Sequence, residues 1–245
     1  MSENDKKDKW YGNENIWMWA GLTACGLALI IPFVILIFTN EFSLDGIKSL
    51  GAFGDFFGGT TVGLFNLSSI LLVLVAVIIQ RKELKETRSQ FQKQQIDNTF
   101  FNMINLHNQI VSELEISGNK GKYALNHLNK EVKSRYKTVL SEDKKEKILQ
   151  SYEYLYKNYY FGHYFRNMYR IMKFIDRTKE LSEDEKRNYI GILRAQLSTG
   201  ELLLIFYNAL SERGEKFKKL ILDYDFFDDL LNDDAFYNAL KHYLK

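Results

Sequence analysis

Gly58-Gly-Thr-Thr-Val-Gly-Leu-Phe-Asn-Leu-Ser-Ser-Ile-Leu-Leu-Val-Leu-Val-Ala-Val-Ile-Ile-Gln80 runs straight into Arg81-Lys-Glu-Leu-Lys-Glu-Thr-Arg88. The first segment has no charge, and the second is charged at six of its eight positions. A helix needs roughly 20 apolar residues to cross a hydrocarbon layer of about 30 Å. The sequence therefore predicts a membrane helix over 58–80 that continues into water as a stalk over 81–115. Working back toward the N-terminus, a second uncharged run covers Asn15 to Asn40, with the chain's one proline, Pro32, inside it. A mid-helix proline costs about 3 kcal/mol in water, but neighbouring helices re-satisfy the freed carbonyl within a membrane. This run predicts a first membrane helix over 16–38. Trp10, Tyr11, Trp17 and Trp19 stand at its N-terminal end, where a headgroup belt of aromatic rings is expected. A cleaved signal peptide fits poorly, because the apolar run begins late and is too long.

The two helices differ. The first is almost wholly apolar. The second carries Gly59, Thr60, Gly63, Asn66 and Ser69 in its first half. Gly59 and Gly63 share a face and allow close backbone approach. An amide such as Asn66 at membrane depth is costly without a partner. These groups either bond across a helix–helix interface or line a pore in an oligomer, and both readings call for neighbouring helices.

Orientation follows from the flanks. Lys6, Lys7 and Lys9 precede the hairpin, and Arg81, Lys82, Lys85, Arg88 and Lys93 follow it. The loop between has only Lys48. Basic flanks stay inside, so both termini are expected in the cytoplasm, with a tail over 1–15 and a short external loop over 39–57. The single cysteine, Cys25, falls within the first helix, so no disulfide framework forms.

Residues 81–245 read as an all-α cytoplasmic domain of a size for one core. Breaks are expected at Ser117-Gly-Asn-Lys-Gly-Lys122, at Ser141 as an N-cap, and at a Ser182/Glu185 capping box. That box opens a helix extending to about Arg213. Residues 81–180 hold 20 Lys or Arg against 12 Asp or Glu, whereas 181–245 hold 9 against 12. A basic surplus of eight points to an anionic partner or to anionic lipid, and the acidic tail has the opposite sign needed to pair with it. Ten aromatic residues from Tyr152 to Phe174 interleave with basic ones. Most are expected in the core. His163, Arg166, Tyr169, Arg170, Lys173 and Arg177 form the candidate ligand site, with Arg194 as an addition, because guanidinium groups beside rings suit a nucleotide or single-stranded nucleic acid.

No catalytic set or metal spacing is present, and no cofactor is implied. His107 reads as a hydrogen-bonded helix residue. The carboxylates Asp225, Asp228, Asp229 and Asp234 are the one grouping that suits Mg²⁺, set against a solvated or ion-paired face.

Four blocks resemble the family described as putative phage abortive infection proteins: Leu50–Gly59, Asn98–Asn108, Gly162–Asp176 and Tyr189–Asn208. The resemblance implies a bacterial inner-membrane effector that harms its own host's membrane on infection. The layout is similar to membrane effectors of two-gene defence systems such as Hailong. There a partner nucleotidyltransferase makes a nucleic-acid oligomer that controls an oligomeric channel. The residues and the resemblance together predict a ring of copies, tetramer-like, that depolarises the membrane under control of an oligonucleotide or nucleotide. The alternative is a non-channel, membrane-anchored scaffold that recruits a defence partner.

Overall fold

The computed structural model of the chain describes residues 13–38, 50–228 and 231–244, with backbone only at residues 35, 36, 50, 52, 53, 56, 57 and 60. The tail lysines, Lys48 and Asp229 lie outside the described residues, as does the side chain of Thr60. The fold is helical and falls into two units, Met1–Gln92 and Lys93–Lys245.

In the first unit, α1 (Glu14–Phe38) lies antiparallel to the start of α2 (Leu50–Glu113). Both are long and apolar enough to cross a membrane. The helix begins at Leu50 rather than near 58, so Gly51, Gly54, Gly58 and Gly59 are helical and the expected loop is shorter. Contact between the helices centres on Gly21. Leu72 comes within 3.2 Å of where a Gly21 side chain would start, and the Ser68 hydroxyl donates to the Gly21 carbonyl at 2.8 Å. Both observations have one cause: absence of a side chain brings backbone close enough for a hydroxyl to reach it. Lys82 pairs with Glu14 at 3.6 Å.

The second unit opens on the end of α2, which has no break before Glu113, as the stalk pattern predicts. Ser117 and Gly118, both at positive φ, turn the chain between β1 (Glu115–Ile116) and β2 (Asn119–Lys120), a two-residue antiparallel ribbon absent from the all-helical expectation. Paired left-handed residues match strand twist and close such a ribbon tightly. Six helices follow before the C-terminal turn: α3 (Lys122–Thr138), α4 (Lys144–Asn158), α5 (Gly162–Arg177), α6 (Glu183–Ala195), α7 (Thr199–Leu210) and α8 (Glu215–Asp223). The short α9 (Ala235–Leu240) completes the unit.

Side-chain caps set several of the boundaries. Asp143, not Ser141, caps α4, since its carboxylate accepts from Lys145 N–H; Ser141 instead accepts from Asp143 N–H and donates to Glu146. The Ser182/Glu185 box opens α6 as read, and the Lys93 ammonium at 2.7 Å helps hold the Glu185 carboxyl down to about 2. The run to Arg213 is not one helix. A second box, Ser198 with Glu201, stops it and starts α7 at 118° to α6. Arg194 and Glu201 therefore do not share a helix face.

α7 is the centre of the core, buried from Gly200 through Leu210. Its polar groups have partners: Asn208 donates to the Tyr152 hydroxyl at 2.8 Å, and the Tyr207 hydroxyl donates to Asn129 at 3.2 Å. Glu201 is 1 % exposed, and its carboxylate accepts from the Ser198 N–H and hydroxyl. Ser198→Ala removes one of those donors from a buried acceptor and the cap from the helix. We expect a loss of about 1–2 kcal/mol in chemical denaturation followed by circular dichroism; a change under a few tenths would show that the box is dispensable.

A basic groove along one helix as the candidate functional site

α5 is amphipathic, with a mostly apolar buried face and a basic exposed one. Tyr164, Phe165, Met168, Ile171, Met172 and Ile175 are buried. His163, Arg166, Arg170 and Arg177 are exposed and Lys173 half-buried. Their spacing of three and four places all five on one stripe, about 21 Å long at 1.5 Å per residue. None of the four Lys or Arg residues has an ion-pair partner among the described residues.

The C-terminal part of this stripe opens onto a groove of about 690 Å³. Tyr169, Arg170, Lys173 and Arg177 line it, together with Met103, Phe174, Thr178 and Glu180. Four of the residues read from the sequence thus meet in one concavity. His163 and Arg166 extend the stripe beyond it. Tyr169 is held edge-on against Phe217 at 6.2 Å, and the Lys173 ammonium sits 5.1 Å from its ring centre. A ring fixed in this way is already oriented for stacking. The last carbonyls of α5, which disfavour an anion, are covered: Thr178 donates its hydroxyl to the Phe174 carbonyl at 2.8 Å and its N–H to Phe174 and Ile175. Three cations against the single carboxylate of Glu180 leave the groove with a formal surplus of two.

Arg194 is not part of it. Its guanidinium reaches the Asp225 carbonyl at 3.3 Å and the Asp228 carboxylate at 3.5 Å, anchoring the acidic loop, where both aspartates take positive φ. Asp234 caps α9 and pairs with Lys133 at 2.9 Å. The acidic tail thus meets a basic residue of 81–180, as its charge suggested. No cluster of His, Cys, Asp or Glu among the described residues is arranged to hold a metal.

Met103 and Glu180 had no signal in the sequence, because neither lies on α5. Phe174 was visible only as one more core aromatic. His107 also differs from its reading. It is 2 % exposed, packed 4.9 Å from the Tyr164 ring, and neither ring nitrogen has a partner among the described residues.

In the first unit, Gly59, Gly63, Asn66 and Ser69 are all exposed. A side chain at Gly59 or Gly63 would meet nothing within 4 Å. They are not the contact between α1 and α2, which uses Gly21 and Ser68.

Residues 156–235 match the family model described as "Putative phage abortive infection protein". This segment is similar to that family. It covers about a third of the chain, from the end of α4 to the start of α9, and so contains α5 and the whole stripe. Two of the four resembling blocks fall inside it, and Leu50–Gly59 and Asn98–Asn108 lie outside. It also takes in residues 211–235, which had carried none of the resemblance. No curated protein and no solved structure matches the chain. The abortive-infection segment supports a role in phage defence.

Proposed function

We propose that the chain is a phage-defence effector of the bacterial inner membrane, with both termini cytoplasmic. Its hairpins assemble into a homo-oligomeric, tetramer-like ring that conducts ions, and the basic groove binds an oligonucleotide or nucleotide that controls it. The reading is not enzymatic. The observation that carries it is the stripe on α5: cations with no ion-pair partner among the described residues, beside a pre-oriented ring, inside the abortive-infection segment. Charge-assisted contacts to phosphate and ring stacking on a base are both available there. A ligand gates only if it binds two states with different affinity, so binding and conduction are separate tests.

The first test is titration of a fluorescent single-stranded oligodeoxynucleotide with detergent-purified protein at several salt concentrations. Binding that weakens as salt rises is expected. The second is ion flux in proteoliposomes. Purified chain that is monomeric and passes no ions, with or without the oligonucleotide, would replace the channel by the scaffold reading. In the ring, Asn66 supplies an amide to the ion path or to the interface around it. Asn66→Leu is expected to change flux roughly tenfold while leaving insertion intact. Unchanged flux would take Asn66 out of the conducting part.

A further inference from the structure

Between Leu50 and Gln92, α2 has two stripes that run along opposite sides. Thr61, Leu64, Ser68, Leu71, Val75 and Ile78 are the only described residues of this part that are not exposed. They follow steps of three and four, and this is the side that α1 covers through Gly21 and Ser68. The other stripe is bare. It starts at Gly63 and Asn66 and continues through Ile70, Val73 and Val77, all exposed. The same steps then pass out of the apolar segment to Gln80, Leu84, Thr87 and Phe91.

The water half of that stripe is the informative part. Seven of the thirteen residues from Arg81 to Lys93 are charged, yet none falls at 84, 87 or 91. The two apolar residues in this stretch, Leu84 and Phe91, are seven apart, 51 % and 65 % exposed. With Gly63 as position a of a heptad, Leu84 and Phe91 are a residues, and Asn66, Val73, Gln80 and Thr87 are d residues. A repeat of 3.5 residues is the mark of helices that wrap around one another.

We propose that this stripe is a homotypic seam: the α2 helices of neighbouring copies pack in parallel and in register along Gly63–Phe91. Lipid can cover its apolar half and a soluble partner its charged-region half. One occupant follows both without interruption, namely the same helix of a second copy inserted the same way. Insertion forces the copies parallel, and symmetry brings each residue opposite its own counterpart. The flanking charges agree. Glu83 stands at g and Arg88 at the e position of the next heptad, the pair that meets between parallel neighbours. Asn66 and Gln80 then face their own copies, which supplies partners for amides and fixes the register. α1 is left on the outside, between α2 and lipid. The proposal rests on the assembly proposed above and names its interface.

The test uses the full chain in membranes with Cys25→Ser, which removes the single native thiol. Single cysteines replace Leu84 or Phe91 on the seam, and Lys82 or Ser89 on the opposite side of the helix. A short bis-maleimide is expected to give a covalent dimer at 84 and 91, and the band is lost at 82 and 89. Arg88→Glu is expected to weaken crosslinking through Leu84→Cys, and adding Glu83→Arg to restore it. Equal crosslinking on both sides, or no rescue, overturns the seam. No crosslinking anywhere also overturns it. In that case the mass of the detergent particle separates the two readings: a particle of several chains leaves the proposed ring with another interface, and a single chain removes both.

Discussion

Arg170→Glu combined with Arg177→Glu reduces oligonucleotide affinity by about a hundredfold and flattens its salt dependence. Both guanidinium groups line the groove and are exposed, with no ion-pair partner among the described residues. A hydrogen bond to a charged group contributes about 1.5–3 kcal/mol, so two lost contacts amount to about 3 kcal/mol, or two decades. Removal of two phosphate contacts lowers the salt slope by about 1.4 for a single strand. The change leaves folding intact for the same reason that it affects binding: neither side chain holds anything in the free protein. The check is the fluorescence titration in two salt concentrations, beside circular dichroism of the variant. Parent-like affinity in a folded variant would remove the groove as the ligand site. The matched control is Arg194→Ala. It should loosen the acidic loop and leave oligonucleotide binding unchanged, because Arg194 is held by Asp225 and Asp228.

The second large effect is acid destabilisation through His107. Burial, helped by the charge of Lys122, pushes its imidazole down to about 4 from 6.5. Between those two values the unfolded chain takes up a proton that the folded chain refuses. Stability therefore rises with pH across this window and is lost as the pH falls from 6.5 toward 4. The full loss is about 3 kcal/mol, and about 2 kcal/mol of it appears between pH 7 and pH 5. His107→Leu keeps an apolar side chain of similar size against Tyr164 and removes the titration. Guanidinium unfolding of full-length protein in detergent, at pH 7 and pH 5, should show the drop in the parent and little of it in the variant. An equal drop in both would assign the acid sensitivity to other groups. With no hydrogen-bond partner at either nitrogen among the described residues, His107 joins α2 to α5 through packing.

Much of this was legible because the signals are local. Uncharged length marks a helix that crosses a membrane, whatever surrounds it. The Ser182/Glu185 box closes within four residues and needs no help from the rest of the fold. The α5 stripe is a property of one helix, so spacing alone put His163, Arg166, Arg170, Lys173 and Arg177 together. The break that was missed is local as well, but apolarity masked it. Ser198-Thr-Gly-Glu201 lies inside the greasy run Ile190–Leu210, and unbroken hydrophobicity reads as a continuous helix. The capping box outweighs it because Gly200 brings the start of α7 against Asn126, leaving no room for a straight course. The chain also breaks after Asn158, where Gly162 starts α5 in close contact with Tyr156.

The sequence by itself determined the helical class, the apolar hairpin, the basic stripe and the uncharged stripe of α2. Each is a matter of which residues recur on one side of one helix, and helix geometry alone converts that into a surface. Tertiary structure decided which of those surfaces remain available. It put Arg194 against Asp228 and Lys133 against Asp234, withdrawing them from any ligand. It added Met103 and Glu180 to the groove and buried His107 with no hydrogen-bond partner among the described residues. It laid α1 over Ser68, leaving Gly63 and Asn66 uncovered. Pairing and coverage join residues far apart in the chain, and one strand of sequence carries no distance between them.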